Sequence, residues 1–431
     1  MTTVRGGDWR IILLALAGGA GGILCLGLAA ATAGYALAEP ALHTTGADAR
    51  GPQDLTAIFV LSVGMVLVAA ILLVAMAAAL RAIRGQAEPS FDPRPMRWWS
   101  VIVWLGVWLA SSVLAQVLHE HDVGHPIVPI LHVAAIACPI YVLIRVAVAG
   151  IRDGSRLRLW GSLSTGMLLG TGLAATIEIT LLMLAGIVGG VYLIANPEQI
   201  QIMQRLVLRL SHAGGPEETL ALLGPIMASP IALLAALAAV AVASPLVEEI
   251  AKSVPVWAMN QRASTGARGF WAGALSGAGF ALLEGLMVSA NAGDGAASML
   301  MLRAGSSLMH VVASGLAGWG IGAFRASRRF SRLALGYLAA MGIHALWNTA
   351  VVVIAYGALR TTYSAARPDA PGLALSIGGA MLLVMLLALL PVGLIALNLR
   401  FRNDDRRQLT TGPGASPMQP PGAIAKNGGA Q

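Results

Sequence analysis

The sequence predicts an all-α fold, a polytopic transmembrane helical bundle of about ten spans, and two observations carry that prediction. Of 431 residues, 57% are hydrophobic and only 11% charged, whereas soluble domains carry about 25% charged residues. So small a polar complement cannot cover a water-soluble fold of this length, and lipid is the solvent it implies. Apolar runs long enough to cross a hydrocarbon core, roughly 20 residues each, also recur along the whole chain with arginine-bearing loops between them.

The runs fall at 11–34, 57–80, 98–118, 126–149, 160–193, 229–259, 269–291, 302–323, 333–357 and 373–399. The first ends in Ala36-Leu37-Ala38 before Glu39-Pro40, which resembles a signal-peptidase site. An h-region is usually 7–15 residues, and this run is longer, so it is expected to be a retained span. The fifth and sixth runs exceed one crossing and are expected to tilt or kink. Pro245 and Pro255 are the expected kink sites in the sixth, because proline removes a helix donor and crowds the preceding turn.

Between those two spans, Glu198 to His212 reads as an amphipathic helix on the outer surface, with Ile200, Met203, Leu206, Leu208 and Leu210 apolar. The tail after Asn403, rich in Pro, Gly and Gln, is expected to be disordered. This divides the chain into a membrane region of five spans over 1–218, a membrane core of five spans over 219–400, and a cytoplasmic tail over 401–431. Cys25 and Cys138 both lie within apolar runs and form neither a disulfide framework nor a CxxC motif.

A net charge of +8 raises the question of nucleic acid. The arginines, however, sit in clusters between apolar runs rather than along a stripe. Arg5 and Arg10; Arg81, Arg84, Arg94 and Arg97; Arg152, Arg156 and Arg158; Arg262 and Arg268; Arg325, Arg328, Arg329 and Arg332; and Arg400, Arg402, Arg406 and Arg407 fall on one side. The opposite loops hold Arg50, then Arg205 and Arg209, then Arg360 and Arg367. The richer side is expected to be cytoplasmic, with both termini inside a cell membrane and no nucleic-acid partner.

An ionisable side chain inside a span costs about 2.5–3.5 kcal/mol on insertion scales, which makes each a functional candidate. They concentrate in the C-terminal half. The sixth span reads Ser244-Pro245-Leu246-Val247-Glu248-Glu249-Ile250-Ala251-Lys252, so Lys252 lies over both acids on one helical face. Of 28 basic residues only Lys252 and Lys426 are lysines. Against that bias a lysine within an apolar helix points to its chemistry, the bland alternative being a surface ion pair at a helix end.

The seventh span carries Glu284 amid apolar neighbours, with Gly273, Gly277 and Ala281 as a small-residue row for close helix contact. The eighth has His310, with Ser314 and Gly318 on the same face, and the ninth has His344 and Asn348. A histidine alone is more often a packing residue. Asn348, however, needs a partner inside a bilayer, so His344 and Asn348 are expected to face the bundle interior. Converging, these groups would supply a base, an acid and oxyanion donors, or equally the ligands of a divalent metal. Glu248 and Glu249 count nearer the cytoplasmic side than Glu284, His310 and His344 unless Pro245 breaks the helix.

The order EExxK, FxxxE, HxxxS and HxxxN over residues 229–357 resembles the PrsW family of intramembrane proteases, within the CAAX-prenyl-protease and bacteriocin-processing superfamily. The resemblance implies that 219–400 is a catalytic core and that Glu248, Glu249, His310 and His344 are essential. It implies hydrolysis of a peptide bond in a membrane-anchored protein, such as a single-span anti-sigma factor. Glu248 or Glu249 would be general base, Lys252 would keep the pair ionised, the histidines would position water or bind metal, and Asn348 would donate to the oxyanion. Zinc, if used, would be gathered by Glu284, His310 and His344. Gly285 stands where the family often has Asn.

Two sites are weaker. His119-Glu120-His121-Asp122 with His125 looks like a metal cluster but reads as a solvated outer loop. Glu178, mid-span in the fifth helix, either lines the cavity or pairs with a buried cation. A proton-coupled transporter or a non-catalytic scaffold would account for the same buried charges. Transporters usually show paired halves, and here the polar groups lie in one half.

Overall fold

A computed structural model describes residues 8–42, 52–87, 91, 94–121, 127–151, 155–258, 265–290, 296–363 and 369–411. Among them there is no strand, and ten helices are long and apolar enough to cross a membrane. We number the helices α1 (Trp9–Leu42), α2 (Pro52–Ile83), α3 (Trp98–Glu120), α4 (Val128–Ala147), α5 (Arg156–Ala195), α6 (Pro197–Ser211), α7 (Pro216–Met227), α8 (Pro230–Ala258), α9 (Gly266–Ser289), α10 (Ala296–Ser327), α11 (Phe330–Tyr363) and α12 (Ala370–Thr411). All but α6 and α7 are candidate spans, so every expected run is a helix.

The ends differ from expectation in places. The last helix continues to Thr411, past the Asn403 limit expected for the ordered chain, and residues 412–431 lie outside the described residues. Helix α1 runs without interruption through Ala36-Leu37-Ala38 to Leu42. The amphipathic segment is α6, with no buried residue of its own. Arg5, Arg50, Arg152, Arg262, Arg367, Asp122 and His125 lie outside the described residues.

The helices of the core are distinguished by what surrounds them. Within its most apolar stretch α9 is 78% buried and α10 is 83% buried, against 0% for α5 and 11% for α8. The cause is backbone contact. Gly269, Gly273 and Gly277 lie one per turn along α9, and a Cβ on Gly273 would overlap the Ser314 carbonyl while one on Gly277 would overlap the His310 carbonyl. Small residues thus let the two backbones touch, and that contact fixes the depth of His310. On the opposite face of α9, Gly279 meets the Leu163 carbonyl of α5 in the same way.

Helix α8 is broken where its prolines require it. It begins as an α-helix over Pro230–Ala236, widens to a π-helix over Leu237–Ala243, returns to α over Ser244–Lys252, turns at Ser253 and ends with Val254–Ala258. Pro245 has no N–H to give the preceding turn, and the wider π register takes up the mismatch. Pro255 follows the second break. Tyr337 donates to Ser253 Oγ at 2.7 Å, and Arg325 donates to the carbonyls of Val256 and Trp257 at 2.9 and 2.6 Å. The freed backbone at the end of the span therefore has partners, as a membrane demands.

Candidate active site

The segment Ser244–Lys252 turns Glu248, Glu249 and Lys252 inward, all of them buried. The i+3 and i+4 spacing brings the Lys252 ammonium to 2.8 Å from Glu249 Oε1 and 2.9 Å from Glu248 Oε2. Two further contacts complete its surroundings. His310 Nδ1 is 2.8 Å away, and the Phe280 ring lies under the ammonium at 4.2 Å.

These contacts fix the histidine tautomers by donor chemistry. An ammonium only donates, so His310 Nδ1 accepts and its ring proton is on Nε2, which donates to Glu284 Oε2 at 2.9 Å. Glu284 in turn receives both arms of Arg303, at 3.3 Å on Oε1 and 2.6 Å on Oε2. His344 Nδ1 lies 3.0 Å from Glu249 Oε1. A carboxylate accepts, so His344 Nδ1 carries a proton, and its Nε2 faces Glu248 Oε2, 3.8 Å away.

The adjacent carboxylates are consequently unlike. Glu249 is fully buried and accepts on both oxygens, from Lys252 and His344 on Oε1 and from the Ser314 hydroxyl on Oε2 at 2.9 Å. Glu248 keeps Oε2 with an ion pair to Lys252 but no hydrogen bond. Its Oε1 lies 2.7 Å from the Ser244 hydroxyl, which is also 2.7 Å from Glu178 Oε1 on α5.

Six of the residues singled out in the sequence therefore meet: Glu248, Glu249, Lys252, Glu284, His310 and His344. The helix that carries the first three is broken just before Pro245, at the π segment. Two placements differ from expectation. The group able to hold a metal is Glu248, His310 and His344, with one ligand atom from each lying within 4.8 Å of the others. Among the described residues Glu284 is not in that group; its oxygens accept from Arg303 and His310. Asn348 donates to the Val240 carbonyl at 2.8 Å, in the π segment, and so ties α11 to the broken stretch of α8. Sequence reasoning passed over Arg303 and Ser244. The signal for Arg303 was an arginine at the arginine-poor end of a span, which loop charge bias does not explain. Of the outer-loop cluster, His119 and His121 belong to no metal-binding group among the described residues.

The donor types, a carboxylate and two imidazoles, suit a divalent ion, and the buried Glu248 Oε2, which accepts no hydrogen bond within the protein, lies 3.8 Å from His344 Nε2. His310 joins through Nδ1 only if Lys252 draws back from that nitrogen.

The profile of a family described as PrsW family intramembrane metalloprotease matches residues 155–387, more than half of the chain. The matched stretch starts in α5 and so takes in Glu178, which the four motifs do not. Nothing among the curated proteins or the solved structures matches.

Proposed function

The chain belongs to the PrsW family of intramembrane metalloproteases and is a multi-pass membrane peptidase; from that premise we propose that Glu248 is its general base. One observation carries the choice between the paired glutamates. Glu248 Oε2 accepts no hydrogen bond within the protein and lies 3.8 Å from His344 Nε2, whereas both oxygens of Glu249 already accept hydrogen bonds, from Lys252, His344 and Ser314. A water between Glu248 and His344 meets two acceptors, so both its protons are directed and its oxygen lone pairs are free for a scissile carbonyl.

In this reading Glu248 takes a water proton as the oxygen attacks, then returns it to the leaving nitrogen as the C–N bond breaks. Glu249 holds His344 in the Nδ1-protonated form, and Arg303 through Glu284 holds His310 in the Nε2-protonated form. These are positioning roles of the kind that second-shell carboxylates play for histidines. Asn348 has a second amide hydrogen beyond the one given to Val240, and in this reading it donates to the oxyanion. A divalent metal, zinc being the candidate, would be held by Glu248, His310 and His344; it would take the place of the direct contacts of water with Glu248 Oε2 and His344 Nε2 and would supply Lewis acidity toward the carbonyl.

The substrate class is a membrane-anchored protein, with a single-span anti-sigma factor as the form to try. The catalytic core is 219–400, in a cell membrane with both termini cytoplasmic. The test uses the full chain in lipid vesicles with a labelled single-span substrate. Glu248→Gln is expected to abolish cleavage while leaving the thermal midpoint close to wild type. Wild-type turnover by that variant would remove Glu248 as base. Cleavage unaffected by exhaustive chelation would remove the metal from the reading and leave the glutamate.

A further inference from the structure

Helix α5 leaves the bundle beside the site. It lies against Ser244–Lys252 of α8, where Gly170 packs on Lys252 and where Ala174, Ala251 and Phe280 form one buried cluster. Farther along, Glu178 Oε1 is 2.7 Å from the Ser244 hydroxyl. Beyond that contact the two spans part. Every residue of α5 from Ile179 to Tyr192 is exposed, and among the described residues α5 makes no more than passing contact with Pro230–Ala243 of α8. That half of α8 leans instead on α11, where Asn348 donates to the Val240 carbonyl, and leaves Ile231 and Leu234 exposed.

Around the rest of the site the helices close on one another. Helices α9 and α10 meet backbone to backbone at Gly273 and Gly277, as α10 and α11 do at Gly320 and Gly336. Ser276 of α9 donates to the Lys252 carbonyl at 2.6 Å, and Tyr337 of α11 to Ser253. The parted halves of α5 and α8 are linked at their far end through α6. Its 15 residues make about 22 Å of helix, some twice the roughly 8–10 Å between packed helices. Helix α7, which follows, packs on α11: Gly224 meets the Tyr363 ring, and Tyr356 donates to the Ala228 carbonyl at 3.0 Å. Where α5 meets α6 an apolar cavity of about 330 Å³ opens, lined by Leu193, Ile200, Met203, Val207 and Leu208.

We propose that the transmembrane helix of the substrate enters beside α5, along the N-terminal half of α8 and under α6. The opening is a wedge. At α6 it has room for a helix, which is about 10–12 Å across; at its foot Glu178 and Ser244 are in hydrogen-bonding contact. A helix cannot pass that foot, and extended chain can, so the substrate unwinds there. Ser244 lies one helical turn from Glu248, which places the unwound stretch at the reacting carboxylate. The occupant is a helix of another protein rather than lipid alone because the wedge ends on the site that a membrane-anchored substrate must reach. This deepens the reading of Glu248 as the base of a membrane peptidase, and rests on it.

The test places a photo-crosslinking benzoylphenylalanine at single positions of the full chain carrying Glu248→Gln, in vesicles that hold a labelled single-span substrate. Probes at Leu234 of α8 and Val207 of α6 are expected to capture the substrate within its transmembrane segment. Probes at Met287 of α9 and Met381 of α12, both exposed to lipid, are expected to capture none. Val207→Trp in the otherwise wild-type chain fills the cavity under α6, where no residue of the helix is buried. It should raise KM about tenfold and leave kcat and the thermal midpoint unchanged. Capture at Met287 or Met381 equal to that at Leu234, capture of a second copy of this chain in place of substrate, or an unchanged KM for Val207→Trp would overturn the proposal. Crosslinking is read without turnover, so it is scored whether or not Glu248→Gln is inactive. An active Glu248→Gln with capture at Leu234 and Val207 would sink the base and keep the entry; an inactive one without that capture would do the reverse.

Discussion

Helices α9 and α10 and the C-terminal half of α5 are all apolar spans, yet their environments are opposite. In α9 and α10 most positions touch protein, and the polar groups they carry answer one another: Glu284 with Arg303 and His310, Ser314 with Glu249. In α5 beyond Glu178 the side chains of Leu182, Ile187, Val188, Val191 and Ile194 are exposed, and there is no charge to the end of the helix. The contrast shows what the membrane permits. Charge is retained only where neighbouring helices supply its partners, and glycine is used where backbones must approach closely enough to supply them. Glu178 sits at the border of the two regimes, 2.7 Å from the Ser244 hydroxyl, while Gly170 of the same helix packs against Lys252 and Phe280.

The largest effect expected on that contrast is loss of the base. Glu248→Gln keeps size and removes basicity, so cleavage should fall by about 10²–10⁴-fold with thermal stability preserved, measured on the reconstituted full chain. Glu249 makes the comparison sharp. Glu249→Ala removes the acceptor of His344 and the Ser314 hydroxyl and one partner of the buried Lys252 ammonium. It should therefore lose both activity and stability, the latter by about 3–5 kcal/mol, as for an uncompensated buried charge. Equal thermal midpoints for the two variants would erase the distinction between a reacting and a positioning glutamate.

Next is the backbone contact itself. Gly277→Val places carbon where the His310 carbonyl lies, so α9 and α10 must separate. Overpacking of this kind costs about 1–3 kcal/mol, and because the displaced residue is His310, cleavage should fall with it. Gly186→Val on α5, where a Cβ meets nothing within 4 Å, serves as control and should change neither. Arg303→Gln follows in size. It leaves His310 in place but releases Glu284, and loss of such an outer partner typically costs about 10- to 100-fold in metal affinity or activity. Zinc binding measured by equilibrium dialysis reads this without turnover.

Much of this was legible in the sequence for a physical reason. A bilayer fixes span length and punishes unpaired charge, so apolar runs locate the helices and the exceptions locate the site. Glu248, Glu249, Lys252, Glu284, His310 and His344 were all found as exceptions. What was not legible depends on pairing across helices. That Glu248 and not Glu284 lies with the two histidines depends on distances between helices, and Glu284 meets Arg303 across helices too. The hydrogen bond of Asn348 to Val240 follows from a π segment that composition does not announce. Glu178 was visible as a buried acid, but its relation to Ser244 needed the positions of both.

The smallest effect belongs to the face of α5 that meets nothing in the protein. Leu182 is 73% exposed, Val188 69% and Ile194 75%, so truncating each to alanine removes few contacts within the chain. Stability should move by no more than about 0.5 kcal/mol, as for surface positions away from special features. If this face meets only lipid, kcat and KM should also stay within about twofold of wild type, below the tenfold that 1.4 kcal/mol represents. The scan is informative because the two readouts separate. A variant of Leu182 or Val188 that raises KM for the single-span substrate without lowering the thermal midpoint would mean that a substrate helix lies along α5. The C-terminal half of α5 would then differ from α9 and α10 not in lacking a protein partner, but in having one only while substrate is bound.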